Sequence, residues 1–88
     1  MALINLTIVT PQGKLYDDTA KSVIVRTTGG DVCILPRHID YSASLGKGVA
    51  KVTAEDGSER RAEVEGGLLH VANDQVQIIT STFVWMDN

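Results

Sequence analysis

Cys33, His38 and Asp40 stand close together in the chain, a thiol, an imidazole and a carboxylate in the order of a nucleophile, its base and an orienting acid. Such groups do chemistry only where they converge beside a shaped cleft. Neighbours strung along one strand and its turn point in different directions. The plainer reading makes Cys33 a small buried hydrophobe and His38 a polar turn residue. Cys33, His38 and His70 together would offer a metal only three ligands at irregular spacing. Gly29-Gly30 lacks the following helix and lysine of a phosphate-binding loop. No catalytic, cofactor-binding or metal-binding residue is therefore assigned, and no cofactor is expected.

The elements that would have to position such residues are short. With 88 residues the chain has one domain's worth of material, and 43% hydrophobic against 22% charged residues is the balance of a folded domain. A net charge of -3, with Arg60-Arg61 as the one basic doublet, argues against nucleic acid, which needs a clustered cationic surface. One cysteine allows no internal disulfide, as in a reducing compartment. The opening Met-Ala-Leu-Ile-Asn-Leu-Thr-Ile lacks the basic and unbroken apolar regions of a secretory leader. No apolar run approaches the ~20 residues of a membrane-spanning helix, so any membrane connection is expected to run through a partner.

Period-two alternation broken by turn residues recurs along the chain, and sustained helical periodicity is absent. Ile4, Leu6 and Ile8 share one face ahead of Pro11-Gln12-Gly13. Lys21 to Arg26 sets Val23 beside Val25, then Thr28-Gly29-Gly30-Asp31 reverses the chain into Val32 to Leu35, which Pro36 ends. Tyr41 to Leu45 follows. Gly46-Lys47-Gly48 then turns into Val49 to Ala54, and Asp56-Gly57 joins that run to Arg60 to Glu65. Gly66-Gly67 breaks the strand before Leu68 to Val71, and Asn73-Asp74 turns into Val76 to Thr80. About eight short strands at this spacing predict an all-β sandwich or barrel.

The order of the glycine-marked blocks resembles the N-terminal domain of the epsilon subunit of the F-type ATP synthase, called delta in mitochondria. Leu6-Thr7-Ile8-Val9-Thr10-Pro11-Gln12-Gly13 is similar to that family's entry segment, closing on Leu15-Tyr16. Gly30-Asp31-Val32-Cys33-Ile34-Leu35-Pro36-Arg37-His38 resembles its G-E-x-G-[IV]-[LY]-P-G-H block. Leu45-Gly46-Lys47-Gly48-Val49 and Glu65-Gly66-Gly67-Leu68-Leu69-His70-Val71 resemble its later hairpin and glycine pair. Cys33 and Arg37 replace usual glycines, Ile39-Asp40 stands where Ala-Pro is common, and His70 replaces a usual acid.

The resemblance implies a ten-stranded β-sandwich of two five-stranded, mostly antiparallel sheets over residues 1–82, with 83–88 as a short apolar C-terminal tail. It implies a non-catalytic rotor subunit of the central stalk, coupling rotation of the membrane c-ring to the gamma subunit and so to proton- or sodium-driven ATP synthesis. Its place would be peripheral, on the cytoplasmic face of a bacterial inner or photosynthetic membrane. Thr28, Gly29, Gly30 and Asp31 are expected to meet the c-ring, with Asp31 at the family's acidic position. Thr10, His38, Ile39, Tyr41, Ser42 and Ala43 are expected to face gamma, His38, Tyr41 and Ser42 forming a polar rim around Ile39. Longer family members continue into an inhibitory helical hairpin that in some binds ATP; with the sequence ending at Asn88, neither property is expected. The apolar Phe83-Val84-Trp85-Met86 is expected to fold back as an added edge strand or to be buried against gamma. The competing reading is a free-standing β-sandwich that binds carbohydrate or peptide, although such sites display aromatics and these make up only 5% of the chain.

Overall fold

The computed structural model describes residues 2–37 and 40–86 and contains ten strands and no helix among them. In chain order they are β1 (Ile4–Thr10), β2 (Gly13–Ala20), β3 (Ser22–Thr27), β4 (Gly30–Ile34), β5 (Tyr41–Ser44), β6 (Lys47–Thr53), β7 (Glu59–Glu65), β8 (Leu68–Ala72), β9 (Gln75–Ile79) and β10 (Phe83–Met86). Two five-stranded sheets form, in the orders β2-β1-β9-β8-β5 and β10-β7-β6-β3-β4. The first, sheet A, is mixed because β1 and β9 run parallel; the second, sheet B, is antiparallel throughout.

The alternation in the sequence becomes the division between core and surface. Ile4, Leu6 and Ile8 of β1, Leu69 and Val71 of β8, and Val76 and Ile78 of β9 point inward from sheet A. They meet Val23 and Val25 of β3, Ile34 of β4, Ala50 and Val52 of β6, and Ala62 and Val64 of β7. Burying each of these larger aliphatic side chains contributes about 1.5–3 kcal/mol, which is what holds two sheets face to face without a disulfide.

One strand escapes the residue pattern, and another is the added edge strand expected of the apolar tail. β2 is an edge strand whose Lys14, Leu15, Asp17 and Asp18 are exposed, so only Tyr16 and Ala20 show its inward side. β10 pairs with β7, setting Phe83 opposite Val64 and Trp85 opposite Ala62. There Phe83 is buried and meets Trp85 edge to face with ring centroids 4.9 Å apart, Tyr16 lies 6.3 Å from Trp85, and the Arg60 guanidinium stacks 3.7 Å above the indole. The cluster closes the side of the sandwich between edge strands β2 and β10.

Cys33 does not pack in the core. On β4 the alternation turns Val32 and Ile34 inward and Asp31 and Cys33 outward, leaving the thiol exposed opposite Ile24. The apolar character of the Val32 to Leu35 run masks that alternation in the sequence. β6 likewise starts at Lys47, so Lys47-Gly48 belong to the strand and not to a preceding turn.

Candidate docking surfaces

The outer faces of the two sheets differ in charge once the edge strand β2, whose Lys14 and Asp17 stand beside Val9 and Thr7 and pair at 3.2 Å, is set apart. On sheet B the outward rows carry Arg26, Asp31, Lys47, Lys51, Arg61, Glu63 and Glu65, interspersed with Ile24, Val49 and Val84. Ion pairs cross this surface from Lys51 to Glu59 at 3.4 Å and from Arg26 to Asp31 at 2.6 Å. On sheet A the outward residues of β1, β9, β8 and β5 include no carboxylate, ammonium or guanidinium among the described residues. One row runs Val9, Ile79, Leu68, Ser44 across these four strands, and the next runs Thr7, Gln77, His70, Ser42. Leu68 is 56% and Ile79 45% exposed, beside a shallow apolar depression that also involves Val9, Pro11 and Gly67. Ser42 Oγ and His70 Nδ1 lie 2.8 Å apart across β5 and β8. An uncharged patch with an apolar centre and a polar border has the composition of a protein interface core.

The expected gamma-facing residues divide against this geometry. Ser42 points outward on β5, within the uncharged face, whereas Tyr41 turns toward the core. Ala43 is half-buried. Thr10 ends β1 three strand spacings away, ~14 Å at the usual interstrand distance. Its side chain is buried and spent on the β1–β2 turn, where Oγ1 accepts from the Gln12 N–H at 3.2 Å and sits 3.1 Å from Gln12 Oε1. Its neighbour Val9 is the residue that reaches the face. His38 and Ile39 lie outside the described residues. Cys33 and His70 stand on opposite sheets, and no group of three metal-ligating side chains gathers among the described residues.

Thr28 and Gly29 form the two-residue turn between β3 and β4, where Thr27 pairs with Gly30 and Arg26 with Asp31. Thr27 Oγ1 braces it, donating to the Gly30 carbonyl at 2.7 Å and accepting from the Gly29 N–H at 3.1 Å. Asp31 does not offer a free carboxylate, because Arg26 Nε reaches Oδ1 at 2.6 Å and Nη2 reaches Oδ2 at 3.3 Å. That hydrogen bond, and then the guanidinium charge, hold the Asp31 carboxyl below its ordinary 3.8. A depressed folded value means the pair favours the fold above pH 3.8 and that this contribution is lost as pH falls through the folded value. A carboxyl-carbon NMR titration is expected to place the Asp31 midpoint below 3.8 and to return it there in Arg26→Ala; one midpoint in both chains would contradict the pairing.

The turn and the uncharged face are tied together. The Thr28 N–H donates to the Ser44 carbonyl at 3.0 Å, and the Leu45 N–H donates to the Gly67 carbonyl at 2.8 Å. Thr80 Oγ1 donates to the Gly66 carbonyl at 2.7 Å, and its N–H to the Val9 carbonyl at 3.0 Å. Around this corner, where the chain passes from β5 in sheet A to β6 in sheet B, the hairpin joins the apolar row through backbone contacts.

The family of the ATP synthase delta/epsilon chain β-sandwich domain matches residues 3–86. The chain belongs to that family. Curated relatives include the ATP synthase epsilon chain of Alkalihalophilus pseudofirmus, 40% identical over 79 residues, covering 90% of this chain and 59% of the relative. That of Staphylococcus aureus strain JH9 is 40% identical over 83 residues, covering 93% of this chain and 61% of the relative. The chain thus spans about three fifths of the length of these epsilon chains. Among solved structures, a chain of the Euglena gracilis mitochondrial ATP synthase (OSCP, F1 and c-ring) superposes with a TM-score of 0.91 at 25% identity, covering 99% of this chain and 57% of that one. A chain from the central stalk and c-ring of the Tetrahymena thermophila enzyme shares the fold at a TM-score of 0.74 and 17% identity, over 91% of this chain and 64% of that one. Family membership and fold together exclude neither sheet face as an interface; the charge asymmetry distinguishes them.

Proposed function

We propose that this delta/epsilon-type sandwich is a non-catalytic rotor part of an F-type ATP synthase, docking on gamma through the uncharged part of sheet A's outer face, formed by β1, β9, β8 and β5, and on the c-ring through the turn at 28–31. The observation that carries the reading is the contrast between that face and the ion-paired face of sheet B. Desolvating charged side chains opposes association, so a partner gains more from the four-strand patch of β1, β9, β8 and β5 that has none. Thr10, Tyr41 and Ala43 then support the gamma contact from within or from the border, Ser42 and Val9 touch it, and Thr28, Gly29, Gly30 and Asp31 present the other contact.

Torque needs a stiff path between the two contacts, and the backbone links through Ser44, Leu45 and Gly67 provide one. In such a complex the chain would lie on the cytoplasmic side of the membrane, attached through its partners. The free-standing ligand-binding alternative finds little support: Phe83 is buried and Tyr16, Tyr41 and Trp85 are half-buried against the core, leaving no aromatic platform. Affinity capture with the tagged chain from detergent-solubilised membranes is expected to bring down gamma and the c-ring together. Capture of neither, with retention on a carbohydrate or peptide matrix, would overturn the proposal.

A further inference from the structure

Arg26 is placed by more than its partner. It points outward on β3, one pair beyond the turn, so the β3–β4 register sets it opposite Asp31. Its carbonyl accepts from the Gly46 N–H at 2.9 Å, fixing the backbone beneath it. Its aliphatic stem lies over Gly48, where a Cβ would stand 2.7 Å from Arg26 Cβ and 3.1 Å from Cγ, so the absence of a side chain at 48 makes the shelf on which the arginine rests. From there the guanidinium fork meets both carboxylate oxygens, at 2.6 and 3.3 Å. Both side chains remain about half exposed, at 49% and 56%, where an ion pair adds little to stability. A seated arginine in that position is better suited to orienting than to bracing.

We propose that Arg26 is a positioning residue for docking, locking the Asp31 carboxylate against the hairpin so that the turn meets its partner as a preoriented acceptor. The inference rests on the reading of Thr28 to Asp31 as the ring contact. Each carboxylate oxygen has about two lone-pair sites, and the fork occupies one on each, leaving the others to accept N–H groups from a polar loop. Holding the side chain beforehand removes the entropy cost of ordering it on association. The partner chemistry that fits is an amide or guanidinium donor, met at close range beside the small residues Gly29 and Gly30.

The test is a double-mutant cycle read on the dissociation constant between a gamma subcomplex carrying this chain and purified c-ring in detergent. Asp31→Asn and Arg26→Ala are each expected to weaken binding roughly three-fold, and the double variant no further than Asp31→Asn alone. Arg26→Lys keeps the charge without the fork and is expected to bind like Arg26→Ala. Melting temperatures of the variant chains are expected to stay within about 3 °C of the parent. Additive losses in the double variant, parental affinity in Arg26→Ala or Arg26→Lys, or melting temperatures that fall in step with affinity would overturn the role of Arg26 alone. Parental affinity in Asp31→Asn would overturn the ring contact and this inference with it.

Discussion

Replacing Gly67 with alanine is expected to lower the melting temperature by more than about 10 °C. Gly67 holds φ at +120°, a region that residues with a Cβ avoid. A Cβ there would collide with the Ile79 carbonyl oxygen and stand 2.9 Å from both Cα and Cβ of Thr80. The obstacle is the backbone and Cβ of the 79–80 segment, none of which a rotamer change can move. Overpacking costs about 1–3 kcal/mol and a forced φ a similar amount, about 3 kcal/mol together, with each kcal/mol worth about 4–8 °C in a domain of this size. Gly29→Ala is the control: its nearest neighbour would be Thr27 Oγ1 at 3.8 Å, and a shift under about 4 °C is expected. Thermal melting of the two variants checks both. Equal melting temperatures would mean that the corner yields where the geometry says it cannot, and that the stiff path through the Gly67 carbonyl to Leu45 is not there.

Ile79→Glu is expected to leave the fold near its parental stability and to weaken gamma binding at least ~10-fold, because a buried carboxylate without a partner costs roughly 2 kcal/mol or more. Ile79 already faces water on β9, between Val9 and Leu68, so the free chain loses little apolar burial. In the docked state the new charge would sit in the middle of the uncharged row. Val49→Glu makes the same change at 44% exposure on sheet B and is expected to alter the affinity less than about three-fold. Titration of gamma with each variant checks the difference, and equal weakening by both would argue against a sided interface.

The core was legible because inward positions on most strands are apolar and their neighbours polar, as with Ile4, Leu6 and Ile8 or Ala62 and Val64. β2 was not, since an edge strand has one ladder neighbour and a weak burial requirement, so Lys14, Asp17 and Asp18 leave no alternation. The parallel pairing of β1 with β9 has no local signature at all, because the two strands are joined only after most of the chain has intervened. The Arg26–Asp31 pair could have been found by counting outward from the two-residue turn at Thr28-Gly29, whose register puts 26 opposite 31. Thr10 ends β1 as expected, and its inward direction follows from period two, since it shares the parity of Ile4, Leu6 and Ile8. The uncharged face was invisible because its rows join residues from four strands whose order only the folded sheet sets.

Cysteine cross-linking in the assembled complex tests the docking assignment most directly. In a Cys33→Ser chain, single cysteines at Ser42 and Gln77 report on sheet A, at Glu63 on sheet B, and at Thr28 on the turn. Gamma is expected to be captured from positions 42 and 77 and the c-ring from position 28, with position 63 giving neither. Capture of gamma from position 63 while 42 and 77 stay silent would contradict the account, placing the interface on the charged face of the sandwich.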